Sequence, residues 1–343
     1  MDLSCGENIP NSGNHSGGSS GAVDMCVAGP DRALDRDPRL LLNLLTLERS
    51  HALHTDYFQH VQIDIQPFMR KVVTTWMLEV CEEQQCEEQV FPLAVSYMDR
   101  FLAQRAISRQ QLQLLAVTSM LLASKFRQCQ PLSVDLLCAY TDNSVHPNEV
   151  RQWEVMLLQR LNWQLSIATA FDFVEPFLAR VPWGRGNALV RTHALTLTSV
   201  CYTVECQPLI RVFECDRWFG DGVTAAAASP AGRQLTGDNA RRRPGHCSTQ
   251  TEFLLVPPSL VAVACITAAA RGLRVRMSVG ELCAMTRAPA AAAELVARHV
   301  ERVLARETQP QEPRARHLQP AKQSSPEQTQ LPDTPTDVQD VRF

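Results

Sequence analysis

The chain has 343 residues, 45% of them apolar and 20% charged, with a formal net charge of −3. That balance is ordinary for globular protein and long enough for two domains, and it leaves no electrostatic footprint for nucleic acid. The opening stretch MDLSCGENIPNSGNHSGG has neither a basic start nor an apolar centre, so no secretory signal is expected. Residues 8–30 are dominated by Gly, Ser, Asn and Pro, which predicts a disordered arm over 1–37. From Asp37-Pro38 the pattern turns helical. RLLLNLLTLERS carries leucines on more than one face and must pack against something larger.

Six helical segments are expected in a first block over 38–165, near 38–53, 67–84, 88–104, 108–126, 133–141 and 147–162. Their starts are signalled. Ser108 with Gln111 three residues later reads as a capping box, and Pro147 followed by Glu149 reads as a first turn. A second block over 166–306 holds segments near 169–180, 186–203, 257–273, 278–286 and 289–306. Val, Ile and Thr nowhere alternate with polar residues long enough for strands, so the fold class is all-α. The charge-free run Phe253–Ala270 contains Pro257-Pro258 and much alanine, which fits a buried helix better than a membrane span. Residues 307–343 hold six prolines and few large apolar residues, and predict a disordered tail. The twelve cysteines include no CxxC, and Cys81 and Cys86 are not followed by His or Cys at zinc spacing. They read as reduced thiols of a nuclear or cytosolic protein.

Two charges break apolar stripes. On the 108–126 segment Lys125 extends the line Leu114, Val117, Leu121, and on the 147–162 segment Glu154 interrupts Val150, Leu157, Leu158, Leu161. An isolated buried charge costs about several kcal/mol. The two are therefore expected to meet each other, as a structural bridge, or to meet a partner. A further stripe, Met69, Val72, Val73 and Trp76, lies at helical spacing; Met77 and Val80 can serve the core from an adjacent face and leave it uncovered.

The segments MRKVVTTWMLEVCEEQ, VFPLAVSYMDRFL, LQLLAVTSMLLASK and WEVMLLQRLNWQL, in that order, closely resemble the cyclin box of D-type cyclins. The resemblance covers the first block and most of the second. It implies two consecutive five-helix cyclin-box folds with an N-terminal helix and disordered tails. It implies that Lys125 and Glu154 form the kinase-binding pair, hydrogen-bonding backbone of a cyclin-dependent kinase to hold its regulatory helix in the active position. Met69, Val72, Val73 and Trp76 would form the docking groove for Arg-x-Leu peptides of substrates and Cip/Kip-type inhibitors, with Glu79 and Gln113 as polar contacts. Gln128 departs from the family, where many members carry glutamate, which weakens a rim contact.

Leu3, Cys5 and Glu7 match the LxCxE motif for retinoblastoma-family proteins, and the disordered arm suits an extended peptide. The segment TPTDV around Thr334 resembles the family's degradation signal, whose threonine is phosphorylated and read by a ubiquitin ligase after nuclear export. The implied partners are cyclin-dependent kinases four and six, in nucleus and cytoplasm.

Residues 204–250 stand apart, 47 residues with no helical period where a long loop is uncommon. Removing them joins TSVCYT to TEFLLVPPSLVAV at close to the usual D-type spacing. Codons of Val204 begin GT and one codon of Gln250 ends AG, so the segment reads as translated intron or a gene-model artefact, without function.

There is no Gly-rich phosphate loop, HExxH, nucleophile elbow or paired-carboxylate pattern, and the nine histidines are scattered. No catalytic residue, metal or cofactor is expected, and no nucleic acid or membrane partner. The expected role is a non-enzymatic regulatory subunit at the G1/S transition. Two alternatives are a kinase-independent adaptor working through the short motifs and a transcriptional regulator with a double cyclin fold; the acidic balance argues against DNA binding in the latter.

Overall fold

The computed structural model describes residues 37–204 and 253–307. Among them are twelve helices and no strand. They are α1 (Pro38–His51), α2 (Tyr57–His60), α3 (Pro67–Glu83), α4 (Val90–Leu102), α5 (Arg109–Arg127) and α6 (Val134–Ala139). After α7 (Pro147–Arg160) come α8 (Ala170–Arg180), α9 (Ala188–Thr203), α10 (Pro258–Gly272), α11 (Val279–Thr286) and α12 (Ala290–Glu307).

The starts follow from local chemistry. Asp37 accepts from the Arg39 amide at 2.8 Å, Ser133 from that of Leu136 at 3.1 Å, and Pro38, Pro67 and Pro147 open their helices. The Ser108 amide is held by the Gln111 side chain at 3.1 Å, as a capping box requires, and Asp172 closes the same loop on Thr169 at 2.8 Å. The one-turn helix α2 was not expected. Its signal is Asp56, whose carboxylate accepts from the Phe58 amide at 2.9 Å.

Two cores form around two central helices. Every residue of α5 from Leu114 to Ser124 is buried, and α3, α4, α6 and α7 pack around it. Thr118 and Ser119 survive there because their hydroxyls donate to the carbonyls of Leu114 and Leu115 at 2.7 and 2.8 Å. In the second set every residue of α10 from Ser259 to Ala270 is buried, with α8, α9, α11 and α12 around it. The alanines of the long apolar run serve this close packing. Each set has five helices, in agreement with the expected architecture.

The first helix crosses over. In chain order α1 adjoins the first set, but Leu41, Leu44, Leu45 and Leu47 pack into the second core. Glu48 is buried there, its carboxylate accepting from the Ser259 amide at 2.6 Å and from the Ser259 hydroxyl at 3.0 Å. This places an acceptor at the amino end of α10, where the helix dipole favours it. Burial nevertheless raises the Glu48 pKa, against the lowering effect of the Ser259 bonds.

A buried ion network joins the two sets. Arg70 of α3 grips Asp99 of α4 with two bonds, Nε–Oδ1 at 2.9 Å and Nη2–Oδ2 at 2.8 Å. The Tyr57 hydroxyl donates to Asp99 at 2.8 Å, and Arg70 Nη1 donates to the Tyr202 carbonyl of α9 at 3.0 Å. Tyr202 in turn faces Phe91 and Phe171, and its hydroxyl accepts from the Ala170 amide at 3.2 Å. One arginine thus spans the seam between the cores.

On α12, His299 is buried beside Phe253, with ring centroids 5.2 Å apart, and its Nδ1 lies 3.0 Å from Arg302. Burial first, then the charges of Arg302 and Arg306, lower its pKa from 6.5 to about 4. The unfolded chain binds this proton more readily than the folded one. The contribution is therefore intact above about pH 6.5 and is lost as pH falls towards 4. Thermal melts of wild type and His299→Leu between pH 7 and pH 4.5 should converge as pH falls, because the variant lacks this loss. Parallel curves would show that His299 does not titrate on unfolding.

Candidate protein-docking surface

Lys125 stands in the last turn of α5, where a cation suits the helix dipole, and Glu154 in the middle of α7. Leu121, Leu157 and Leu161, all buried, hold the two helices together beneath them. Lys125 Nζ reaches Glu154 Oε1 at 2.6 Å, so the two stripes do bring their charges into contact. Neither charge is fully buried: the lysine side chain is 45% exposed and the glutamate 17%. The burial cost anticipated from the sequence does not arise, because α5 leaves the core just before Lys125. Beside the pair, Phe126 is 42% and Val155 51% exposed. Phe126 is a correction: the apolar run Met120–Ala123 before it places it in the core by sequence, but α5 leaves the core before reaching it. Val155 was not singled out from the sequence, although it directly follows Glu154.

The position of this surface is braced. Ser124 Oγ donates to the Leu121 carbonyl at 2.9 Å and accepts from the Leu132 amide at 3.2 Å, which pins the loop leaving α5. Arg127 reaches Asp172 at the start of α8 at 3.3 Å, tying the end of α5 to the second set. Its guanidinium also lies 5.7 Å from the Phe126 ring centroid.

The α3 stripe is only partly as expected. Val72 is exposed, and Met69 and Trp76 are half-buried against the first core. Val73 is a correction: it is 3% exposed and faces inward with Met77 and Val80. Positions 73, 77 and 80 fall on the core face of the same helix, so Val73 offers no docking surface. Phe68, one turn before Val72 and also exposed, takes its place in the line Phe68, Val72, Trp76, with exposed Glu79 beyond. Gln113 is half-buried on α5, and its carbonyl accepts from the Ser144 hydroxyl at 3.2 Å. Leu3, Cys5, Glu7 and Thr334 lie outside the described residues, as does the 204–250 segment beyond Val204. Its flanks are described: Val204 caps α9, and Phe253 enters the second core. Among the described residues no group of His, Cys, Asp and Glu could hold a metal ion, and no helix is long and apolar enough to cross a membrane.

The family model "Cyclin, N-terminal domain" matches residues 39–166, which contain α1–α7 and both members of the ion pair. G1/S-specific cyclin-D2 of Xenopus laevis is 49% identical over 177 residues, 51% of this chain and 61% of that protein. The human G1/S-specific cyclin-D3 is also 49% identical over the same shares, and the human cyclin-D1 46% identical over 51% of this chain and 60% of its own. Over this half its sequence is similar to the D-type cyclins. Its match spans about three fifths of the length of those relatives. For the fold as a whole, the crystal structure of a viral cyclin from herpesvirus saimiri aligns with a TM-score of 0.58 at 18% identity, covering 78% of this chain and 97% of the viral chain. That likeness extends the cyclin architecture over the second helical set as well as the first.

Proposed function

We propose that this chain is a D-type cyclin, the regulatory subunit of a G1 cyclin-dependent kinase, kinase four or six, and directs it to retinoblastoma-family proteins. The observation that carries this reading is the Lys125–Glu154 pair, braced from beneath and flanked by exposed Phe126 and Val155. An ion pair held at the edge of an uncovered apolar surface is suited to meeting polar backbone and apolar side chains of another protein. The names of the D-type relatives, G1/S-specific cyclins, support the same reading. The phosphoryl transfer belongs to the kinase; the cyclin contributes surface and no reacting group.

In this reading Met69, Val72, Trp76, Glu79 and Gln113 receive short basic-apolar peptides of substrates and Cip/Kip-type inhibitors, with Phe68 added to the strip. Leu3, Cys5 and Glu7 capture retinoblastoma-family proteins. Phosphorylated Thr334 recruits a ubiquitin ligase, and the cyclin moves between nucleus and cytoplasm. The reading is tested by mixing the purified cyclin with kinase four or six and following phosphate transfer to a retinoblastoma fragment. Transfer should require the cyclin, and should fall when Leu3, Cys5 and Glu7 are all replaced by alanine. A kinase no more active with the cyclin than without it would leave the adaptor alternative in its place.

A further inference from the structure

The end of α3 closes in a defined reverse turn. The Cys86 amide donates to the Cys81 carbonyl at 2.9 Å, and the Gln85 amide to the Glu82 carbonyl at 3.1 Å. Gln85 holds the left-handed backbone this needs, with φ of 50°. These two bonds define the Schellman closure, which sets the side chains of its first and last residues against each other. That contact is commonly between two apolar groups; here both positions are cysteine. A closure of this kind leaves the two Cα atoms at roughly the 4.4–6.8 Å a disulfide spans. Both thiols are free, Cys81 buried at 6% exposure and Cys86 half-buried.

The two sulfurs differ in the way an exchange couple requires. A hydrogen bond from Cys81 lowers the Cys86 pKa, burial opposes this, and a bond from the Gln128 side chain adds to the lowering. The same thiol–thiol bond and burial push Cys81 up, with the charge of Glu82 adding to it. Tyr140 closes the far side of the turn, its hydroxyl accepting from Gln84 at 2.6 Å. Cys86 is thus the reachable sulfur with more thiolate character, and Cys81 the covered one beside it.

We propose that Cys81 and Cys86 form a reversible dithiol–disulfide couple oxidised by hydroperoxides, a modification site at the carboxyl end of α3. The Cys86 thiolate attacks the peroxide, an S–O bond forms as the O–O bond breaks, and hydroxide (or alkoxide) leaves. The sulfur is oxidised to the sulfenic acid and the peroxide reduced. The Cys81 sulfur then attacks Cys86, the S–S bond forms, and the departing oxygen takes the Cys81 proton to leave as water. An added dithiol returns both thiols by exchange. Because the turn already holds the sulfurs together, the bond needs little rearrangement. In a reducing compartment it would be transient, as sensing disulfides are.

The full chain is treated with hydrogen peroxide, free thiols are blocked, and the unfolded product is cut after Glu82 and Glu83 by a glutamate-specific protease. The Cys81 and Cys86 fragments should stay linked, about two mass units lighter than the free pair, and separate on adding dithiothreitol. In Cys81→Ser, Cys86 should instead be trapped by dimedone as sulfenic acid. Cys86 found alkylated while exposed Cys129 is oxidised, or joined to any cysteine other than Cys81, would overturn the proposal. So would a Cys81→Ser chain that never reacts with dimedone.

Discussion

Replacing Asp99 with alanine is expected to cost about 3–5 kcal/mol of folding stability, the penalty of stranding a buried charge. Its carboxylate accepts both Arg70 bonds and the Tyr57 hydroxyl, and the side chains of Arg70 and Asp99 are 6% and 7% exposed. Without Asp99 the guanidinium keeps the Tyr202 carbonyl but loses its counter-charge. Arg70→Ala should cost a similar amount for the reciprocal reason, and should also loosen α9 against α3. Replacing both, Arg70→Met with Asp99→Leu, should cost far less than the sum, because no charge is left behind. Tyr57→Phe, which removes one neutral donor to a charged group, should cost about 1.5–3 kcal/mol. Urea unfolding of the four variants measures this directly. Single variants within about 1 kcal/mol of wild type would mean that water reaches the network and screens it.

That network shows where sequence reading stops. Helix existence and extent were legible because the periods are long and the starts carry chemical signals. Expected segments such as 169–180 and 147–162 correspond to α8 and α7 within about two residues. The single turn α2 is too short to show a period, leaving only Asp56 to announce it. Periodicity gives a helix a wet face and a dry one but does not name the core it joins. Hence the leucines of α1 pointed to burial without pointing to the second set. Arg70 and Asp99 sit inside apolar patterns 29 residues apart, and nothing local marks them as partners. The clue was the buried setting of Asp99 within SYMDRFL, where an unpaired carboxylate would be costly. Val73 failed for a related reason. A 3.6-residue period lets positions 69, 72, 73 and 76 share an arc wide enough for one edge to lie in solvent and the other in the core.

Lys125→Ala and Glu154→Ala should separate stability from binding. The bridge is short, but its lysine is 45% exposed, and a pair in that setting contributes at most about 1 kcal/mol to the fold. Each variant should therefore unfold close to wild type. Covered by a kinase, the same groups lose their water, and truncating one side of a desolvated charged contact costs about 2–5 kcal/mol. That corresponds to a loss in affinity from roughly thirtyfold to several thousandfold. Phe126→Ala and Val155→Ala should weaken binding by a smaller factor, since each removes apolar contact and leaves no charge unpaired. Val72→Ala should leave kinase affinity unchanged, because Val72 is carried by α3 whereas the pair and its apolar flanks are carried by α5 and α7. Titrating each variant against purified kinase by calorimetry, alongside a thermal melt, reads both quantities on the same samples. Full affinity in both charge variants would remove the ion pair from the interface. Affinity lost only in step with melting temperature would make it a structural brace between α5 and α7.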